Sequence, residues 1–239
     1  MFSLSYLIPI GIIYIIAAVF PAALLLFYIY RKDTIEKEPA SLLLKLLGLG
    51  VVAALLSGGF ETLAIAVLDR FISVSNPLYV IILAFLVVAV IEEGTKYILM
   101  KAVTWRNPHF NFRFDGIIYA VFISLGFAAF ENIGYVIGYG LTIAPTRALL
   151  AIPGHMSFAV FMGFFYGRAR LWANRGDEQK ASTNRWLAYI VAVLLHGFYD
   201  ACAMKQTTLS TLIFFAFIIA VDILMIRTIR KESREDHPL

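Results

Sequence analysis

The chain has 239 residues, of which 61% are hydrophobic and only 15% are charged. Soluble domains carry charge on about a quarter of their residues, so this composition excludes an ordinary soluble protein. The alternating pattern of a membrane β-barrel is absent as well. The net charge of +4 belongs to predicted loops, and we expect no nucleic-acid partner.

Apolar runs of about 20 residues recur along the whole chain, and each is long enough to cross about 30 Å of hydrocarbon as a helix. They predict an all-α polytopic membrane protein, a bundle of about seven transmembrane helices that forms one domain over residues 1–239. The predicted spans are 5–30, 41–68, 77–103, 115–140, 147–171, 186–203 and 207–227.

Basic residues are distributed unequally between the two predicted sides of the membrane. Fifteen Lys and Arg residues lie near the ends of spans one, three, five and seven that would share one side. The other side holds only Arg70, Arg147 and Lys205. Because short cytoplasmic loops carry the excess of Lys and Arg, this bias predicts an outside N-terminus and a cytoplasmic C-terminus.

The third span contains Glu92, Glu93 and Lys96 within five positions. One ionisable side chain at the bilayer centre costs about 2.5–3.5 kcal/mol on insertion scales, so we expect these groups to face a protein interior or a wet cavity. Their i,i+3 and i,i+4 spacing lets Lys96 reach either carboxylate. Adjacent carboxylates in a medium of low dielectric resist double ionisation, a property that suits general acid–base chemistry.

The next three spans also carry polar groups. Glu131 and Asn132 lie in span four, and His155 lies in span five. His196 and Asp200 are one turn apart in span six and share a helix face. At 1.5 Å per residue, the two histidines and Glu131 lie at similar depths below the outer helix ends. We therefore expect spans three to six to bring their polar groups to one cavity.

Other features have a structural interpretation. Glu61 lies only eight residues from the end of span two, which suggests a structural or near-surface position. Gly134 and Gly138 are one turn apart, as are Gly163 and Gly167, and small residues at this spacing let helices approach closely.

Several motifs occur in a fixed order along the chain, and together they carry a family resemblance. The chain resembles the PrsW-type intramembrane proteases, which are distantly related to the CAAX-processing (Abi) membrane proteases. The motifs are Glu92-Glu93-x-x-Lys96, Phe127-x-x-x-Glu131-Asn132, Arg147 through Pro153-Gly154-His155, His196-Gly197-Phe198-Tyr199-Asp200, and the segment from Asp33 to Pro39.

The resemblance implies proteolysis of a membrane-spanning protein in a bacterial cytoplasmic membrane. In the best-known member of the family, the substrate is a single-span anti-sigma factor. The resemblance also implies that the double glutamate and Glu131 activate water, and that a later histidine stabilises the oxyanion. The CAAX-specific relatives have His where this chain has Glu131, which argues against a prenylated substrate.

We therefore predict a glutamate-type endopeptidase that needs no cofactor. Glu92 or Glu93 would be the general base on a water, and the sequence does not distinguish between them. His196 would donate a hydrogen bond to the oxyanion or a proton to the leaving amine. The predicted catalytic residues are Glu92, Glu93, Glu131, His155 and His196, and the predicted supporting residues are Lys96, Asn132 and Asp200.

Two alternatives stay open from the sequence. A divalent metal such as zinc could be held by His155, His196, Glu93 and Glu131, although no His-Glu-x-x-His pair is present. A proton- or ion-coupled transporter or channel would also place such groups at the midplane, although the chain shows no inverted repeat.

Overall fold

A computed structural model describes the backbone of residues 4–239 and the side chains of residues 11–239. Within this part the chain is helical, and its only extended pairing is a single bridge between Phe112 and Pro238. The helices are α1 (Leu4–Lys32), α2 (Ala40–Phe71), α3 (Tyr79–Ile82), α4 (Val90–Thr104), α5 (Asp115–Tyr139), α6 (Ala144–Thr146), α7 (Ile152–Asn174), α8 (Glu178–Lys205) and α9 (Thr208–Arg234).

Two π-helical segments join short helices to long ones. Leu83–Ala89 connects α3 to α4, and Arg147–Ala151 connects α6 to α7, in both cases without a break. The described residues thus form seven crossings, and the predicted all-α membrane bundle is confirmed. Six of the crossings are long and apolar enough to span a membrane by length and composition alone. The seventh, α3–α4, carries the charged residues of the third predicted span.

Helix α5 is the centre of the bundle. In its most apolar window 78% of the residues are buried, against 17–33% for α1, α2, α8 and α9. Helix α2 approaches α5 closely because Gly50 faces Gly126, and α7 approaches it because Gly163 faces Gly116. A side chain at any of these four glycines would collide with the backbone of the facing helix.

The predicted glycine pairs have different outcomes. Gly163 and Gly167 do lie in close contact with Gly116 and the backbone at Arg113. The interpretation of Gly134 and Gly138 as packing residues is wrong, because nothing among the described residues would meet a side chain at either position within 4 Å. The half of α5 that follows Glu131 is therefore not covered on that face.

Helix α8 begins at Glu178, eight residues before the predicted span at 186. Its cap explains the difference, because Asp177 Oδ1 accepts a hydrogen bond from the backbone N–H of Lys180 (3.0 Å) and satisfies a free donor of the first turn. Hydropathy identifies only the apolar part of a helix, so the predicted span did not include the two polar turns at 178–185. The N-terminal residues that bear on the predicted orientation, 1–3, lie outside the described part.

Candidate active site

The carboxylate pair on α4 surrounds the ammonium group of Lys96. Lys96 Nζ lies 2.7 Å from Glu93 Oε1 and 3.2 Å from Glu92 Oε2, and all three side chains are buried. The i,i+3 and i,i+4 pairing predicted from the sequence is therefore present. Lys96 Nζ also lies 3.4 Å from His155 Nδ1, on α7. The lysine thus links the acidic pair to a histidine of another crossing.

Helix α8 brings His196 against the same pair. His196 Nδ1 lies 2.9 Å from Glu93 Oε1, and Nε2 lies 3.3 Å from Asp200 Oδ2 and 4.0 Å from Glu92 Oε2. The predicted pairing of His196 with Asp200 is present. Each imidazole nitrogen of His196 therefore faces a carboxylate oxygen.

Two contacts explain how α8 comes so close to the third crossing. Gly197, beside His196, lies directly against the ring of Phe85 in the π-helical segment, and a side chain at this position would collide with that ring. Two turns away, the hydroxyl of Tyr189 donates a hydrogen bond to the backbone carbonyl of Val90 (3.0 Å). The glycine and the tyrosine fix the distance between the two helices that carry the glutamates and the imidazole.

Glu131 and His155 form the second half of the cluster. His155 Nε2 lies 3.2 Å from Glu131 Oε2, which joins α5 to α7. The ring centroids of His155 and His196 are 5.4 Å apart, so the two predicted histidines are neighbours. Asn132 makes none of these contacts; its Nδ2 donates to the carbonyl of Ala18 (2.7 Å) and so ties α5 to α1.

Arg147 is a site residue to which the sequence analysis assigned no role. One guanidinium nitrogen (Nη2) lies 2.7 Å from Glu131 Oε2, and Nε donates to Asn132 Oδ1 (2.7 Å). The guanidinium also lies 3.7 Å from the ring centroid of Tyr135. The available signal was its position: Arg147 is one of only three basic residues on the predicted outer side, and it lies within an apolar stretch.

A cavity of about 800 Å³ opens beside this cluster. Glu93 and Lys96 do not line it and lie behind Glu92. Glu61 does line the cavity, and its structural or near-surface interpretation did not predict this position. The charged and imidazole side chains in the cavity wall are Glu61, Glu92, Glu131, Arg147, His155, His196 and Asp200.

Comparison with known proteins identifies the family to which the chain belongs. The profile of the "PrsW family intramembrane metalloprotease" matches residues 38–226. The chain belongs to the PrsW protease family. Protease PrsW of Bacillus subtilis is 34% identical over 186 residues, which cover 77% of this chain and 79% of that protein. Protease PrsW of Oceanobacillus iheyensis is 33% identical over 217 residues, 91% of this chain and 94% of that protein.

A third relative, Protease PrsW of Clostridioides difficile, is 29% identical over 84% of both chains. No solved structure matches the chain. Membership of the PrsW family supports an intramembrane protease. Together with the six long apolar helices, the bacterial relatives identify an integral membrane protein of bacteria.

The family description names a metalloprotease, and the donor set can be tested against a metal. Glu92, Glu93, His155 and His196 each offer one ligand atom, and these four atoms lie within 4.8 Å of one another. Imidazole and carboxylate are donors that zinc accepts. However, Lys96 Nζ contacts three of these four residues. A charged ammonium already neutralises the donors that a divalent cation would need, so this arrangement does not fit a metal while Lys96 stays in place.

Proposed function

We propose that this PrsW-family protein hydrolyses a peptide bond of a membrane-anchored protein by means of a water activated by Glu92, without a metal. By the family resemblance, the substrate is an anti-sigma-factor-like protein with a single span. The observation that carries the proposal is the position of Glu92. Its side chain lines the cavity, whereas Glu93 and Lys96 lie behind it.

The cavity provides space for a water beside Glu92, because the Glu92 side chain forms part of its wall together with Glu131, His155 and His196. A water hydrogen-bonded to the Glu92 carboxylate would lie about 2.8 Å from it. A general base must reach the proton that it removes directly or through one water. Glu92 takes a proton from this water while the water oxygen attacks the scissile carbonyl carbon.

The other residues position the reacting groups. Glu93 Oε1 lies 2.7 Å from Lys96 Nζ and 2.9 Å from His196 Nδ1, and so holds both groups beside Glu92. His196 Nε2, between Glu92 and Asp200, donates to the oxyanion or to the leaving amine. Preorganised donors in a water-poor site contribute about 3–4 kcal/mol each to lowering the barrier.

Two serines near the site are engaged elsewhere, which supports water over a covalent nucleophile. Ser124 Oγ donates to the backbone carbonyl of His155 (3.0 Å), and Ser157 Oγ donates to Asp222 Oδ1 (2.7 Å). A serine nucleophile needs a base within hydrogen-bond reach, and neither hydroxyl contacts an imidazole nitrogen. Asp222, in the middle of α9, has no histidine partner among the described residues.

The test is co-expression with a panel of single-span bacterial membrane proteins, with new peptide termini identified by mass spectrometry. We expect the wild type to generate termini within or beside a span, and Glu92→Gln to abolish them. Glu178→Gln, on an exposed helix end, is the matched control and should cleave normally. Cleavage by Glu92→Gln at the wild-type rate would overturn the assignment of the base. Ion-gradient-driven uptake without cleavage products would favour the transporter alternative.

A further inference from the structure

Glu61 lies on the face of α2 that packs against the third crossing. Ser57, one turn nearer the predicted cytoplasmic side, is buried and forms a hydrogen bond with Thr95 Oγ1 of α4 (2.8 Å). Leu68, two turns the other way, is buried in a cluster with Val87. Residues spaced by four and seven positions share one helix face, so Glu61 faces the catalytic cavity rather than lipid.

Glu61 differs from the other acidic side chains of the cavity wall. It has no ion-pair partner among the described residues, and its Oε1 is buried without a hydrogen-bond partner. A carboxylate oxygen that is shielded from water without a hydrogen-bond partner is destabilising, in a membrane as in a protein core. The other cavity carboxylates are all paired: Glu92 with Lys96, Glu131 with Arg147, and Asp200 with His196.

Space for an incoming group exists next to Glu61. Glu61 forms part of the wall of the cavity, and Glu92 and Glu131 line the same cavity. Helices α2 and α5 touch at Gly50 and Gly126, on the predicted cytoplasmic side of the site, and the cavity lies further along both helices. A cavity of about 800 Å³ lies in the size range that holds a bound ligand segment.

We propose that Glu61 is a substrate-binding residue that pairs with a Lys or Arg side chain of the membrane-spanning substrate, close to the bond that is cut. This inference rests on the proposed function and adds a substrate preference to it. A basic side chain gives Glu61 the partner that the chain itself does not supply. An acidic side chain would meet the unpaired carboxylate of Glu61, so the same residue also selects by repulsion.

The experiment uses single-span helices of leucine and alanine that differ only in one residue. That residue is Lys, Gln or Glu, and it is moved through the half of the span that would face the cavity. The protein and each helix are reconstituted in phosphatidylcholine vesicles. Binding is measured as photo-cross-linking to Glu92→Gln protein, and cleavage is measured with protein that retains Glu92.

At one or a few positions, we expect Lys to be bound and cleaved at least about tenfold better than Gln, because the pair forms in a desolvated site. Glu61→Gln should remove this preference, and Glu61→Lys should reverse it in favour of Glu. Glu36→Gln, which removes an exposed carboxylate of the loop between α1 and α2, should leave the preference unchanged.

The two readouts separate this inference from the proposed function. Cross-linking without a preference for Lys, or a preference that survives Glu61→Gln, would overturn the inference even if every helix were cleaved. A preference that depends on Glu61, together with no cleavage of any helix by the wild type, would support the binding role of Glu61 and contradict the proposed hydrolysis.

Discussion

At the scale of single residues, Lys96 is the centre of the cluster. Its ammonium contacts two carboxylates and one imidazole and lies 3.9 Å from the ring centroid of Phe127. Helical spacing was sufficient to predict the carboxylate contacts, because they lie on one helix. The contact with His155 was not predictable from spacing, because it depends on how α4 and α7 pack.

Removal of the ammonium should turn the cluster into a metal site. In Lys96→Met, four ligand atoms within 4.8 Å lose their internal cation, and two imidazoles with two carboxylates form a donor set for zinc. We expect the purified variant to bind about one zinc per chain, measured by elemental mass spectrometry, and to lose proteolysis.

The matched control is Lys101→Met, which removes a lysine from the same helix outside the cluster. It should purify without zinc, as the wild type should. Wild-type protein that retains one zinc per chain, and loses it on His155→Ala, would contradict the interpretation of Lys96 as the resident cation.

Arg147 is predicted to be a positioning residue for Glu131. A guanidinium reaches Glu131 and Asn132 at once, whereas an ammonium offers no planar fork. Arg147→Lys should therefore keep the fold and KM but lower kcat by about tenfold, a loss of about 1.4 kcal/mol, and Arg147→Gln should lower kcat further. A change confined to thermal stability, with kcat unaltered in both variants, would indicate a purely structural role.

At the scale of elements, glycines decide which helix halves touch. Gly163 is pressed against the backbone of Gly116, while Gly134 faces open space, although both lie in helix interiors. The sequence showed both as members of one-turn glycine pairs and could not separate them, since the difference arises from the partner helix. Which glycine contacts a neighbouring helix therefore depends on the three-dimensional packing.

This contrast predicts opposite effects of one substitution. Gly163→Ala should lower the free energy of unfolding by about 1–3 kcal/mol, because overpacking forces the backbones apart. Gly134→Ala should be neutral or raise it by about 0.5–1 kcal/mol, because alanine is the better helix former. Thermal unfolding of the two variants in the same detergent provides the measurement. Equal destabilisation by both would contradict the assigned packing of α5 and α7.

The element boundaries show what hydropathy can and cannot predict. The start of α5 at Asp115 and the start of α9 at Thr208 fall within one residue of the predicted spans. Prediction of the polar first turns of α8 would have required recognition of the capping residue Asp177. The polar side chains that four crossings bring together were predicted from the cost of charge in lipid, whereas the positions of Glu61 and Arg147 beside them needed the three-dimensional packing.

At the scale of the whole molecule, buried carboxylates lie at the end opposite the predicted outer side. Asp33 and Glu38, in the loop between α1 and α2, are both buried. Burial raises the pKa of Asp33 to about 6 and the pKa of Glu38 to about 7. The charged and titratable groups around them are Glu36, Lys37, Asp115, Tyr119 and Asp236.

These shifts predict lower stability at higher pH. The folded state holds protons on Asp33 and Glu38 between about pH 4 and pH 7, where the unfolded chain has released them. The free energy of unfolding should therefore fall as the pH rises through this window. Hydrogen exchange of residues 33–39 should be slower at pH 5 than at pH 8, after correction for intrinsic exchange. Asp33→Asn combined with Glu38→Gln should reduce this difference, while Glu178→Gln, which lies outside this group of neighbours, should preserve it.

The central claim is that a buried lysine provides the cation of this PrsW-family site and that Glu92 activates the water. The most direct measurement is the cleavage rate of a single-span substrate by wild-type protein that has been stripped of metal and verified as metal-free by elemental mass spectrometry. We predict the full rate, unchanged when zinc is added. An inactive stripped protein that regains its rate with one equivalent of zinc would contradict the account.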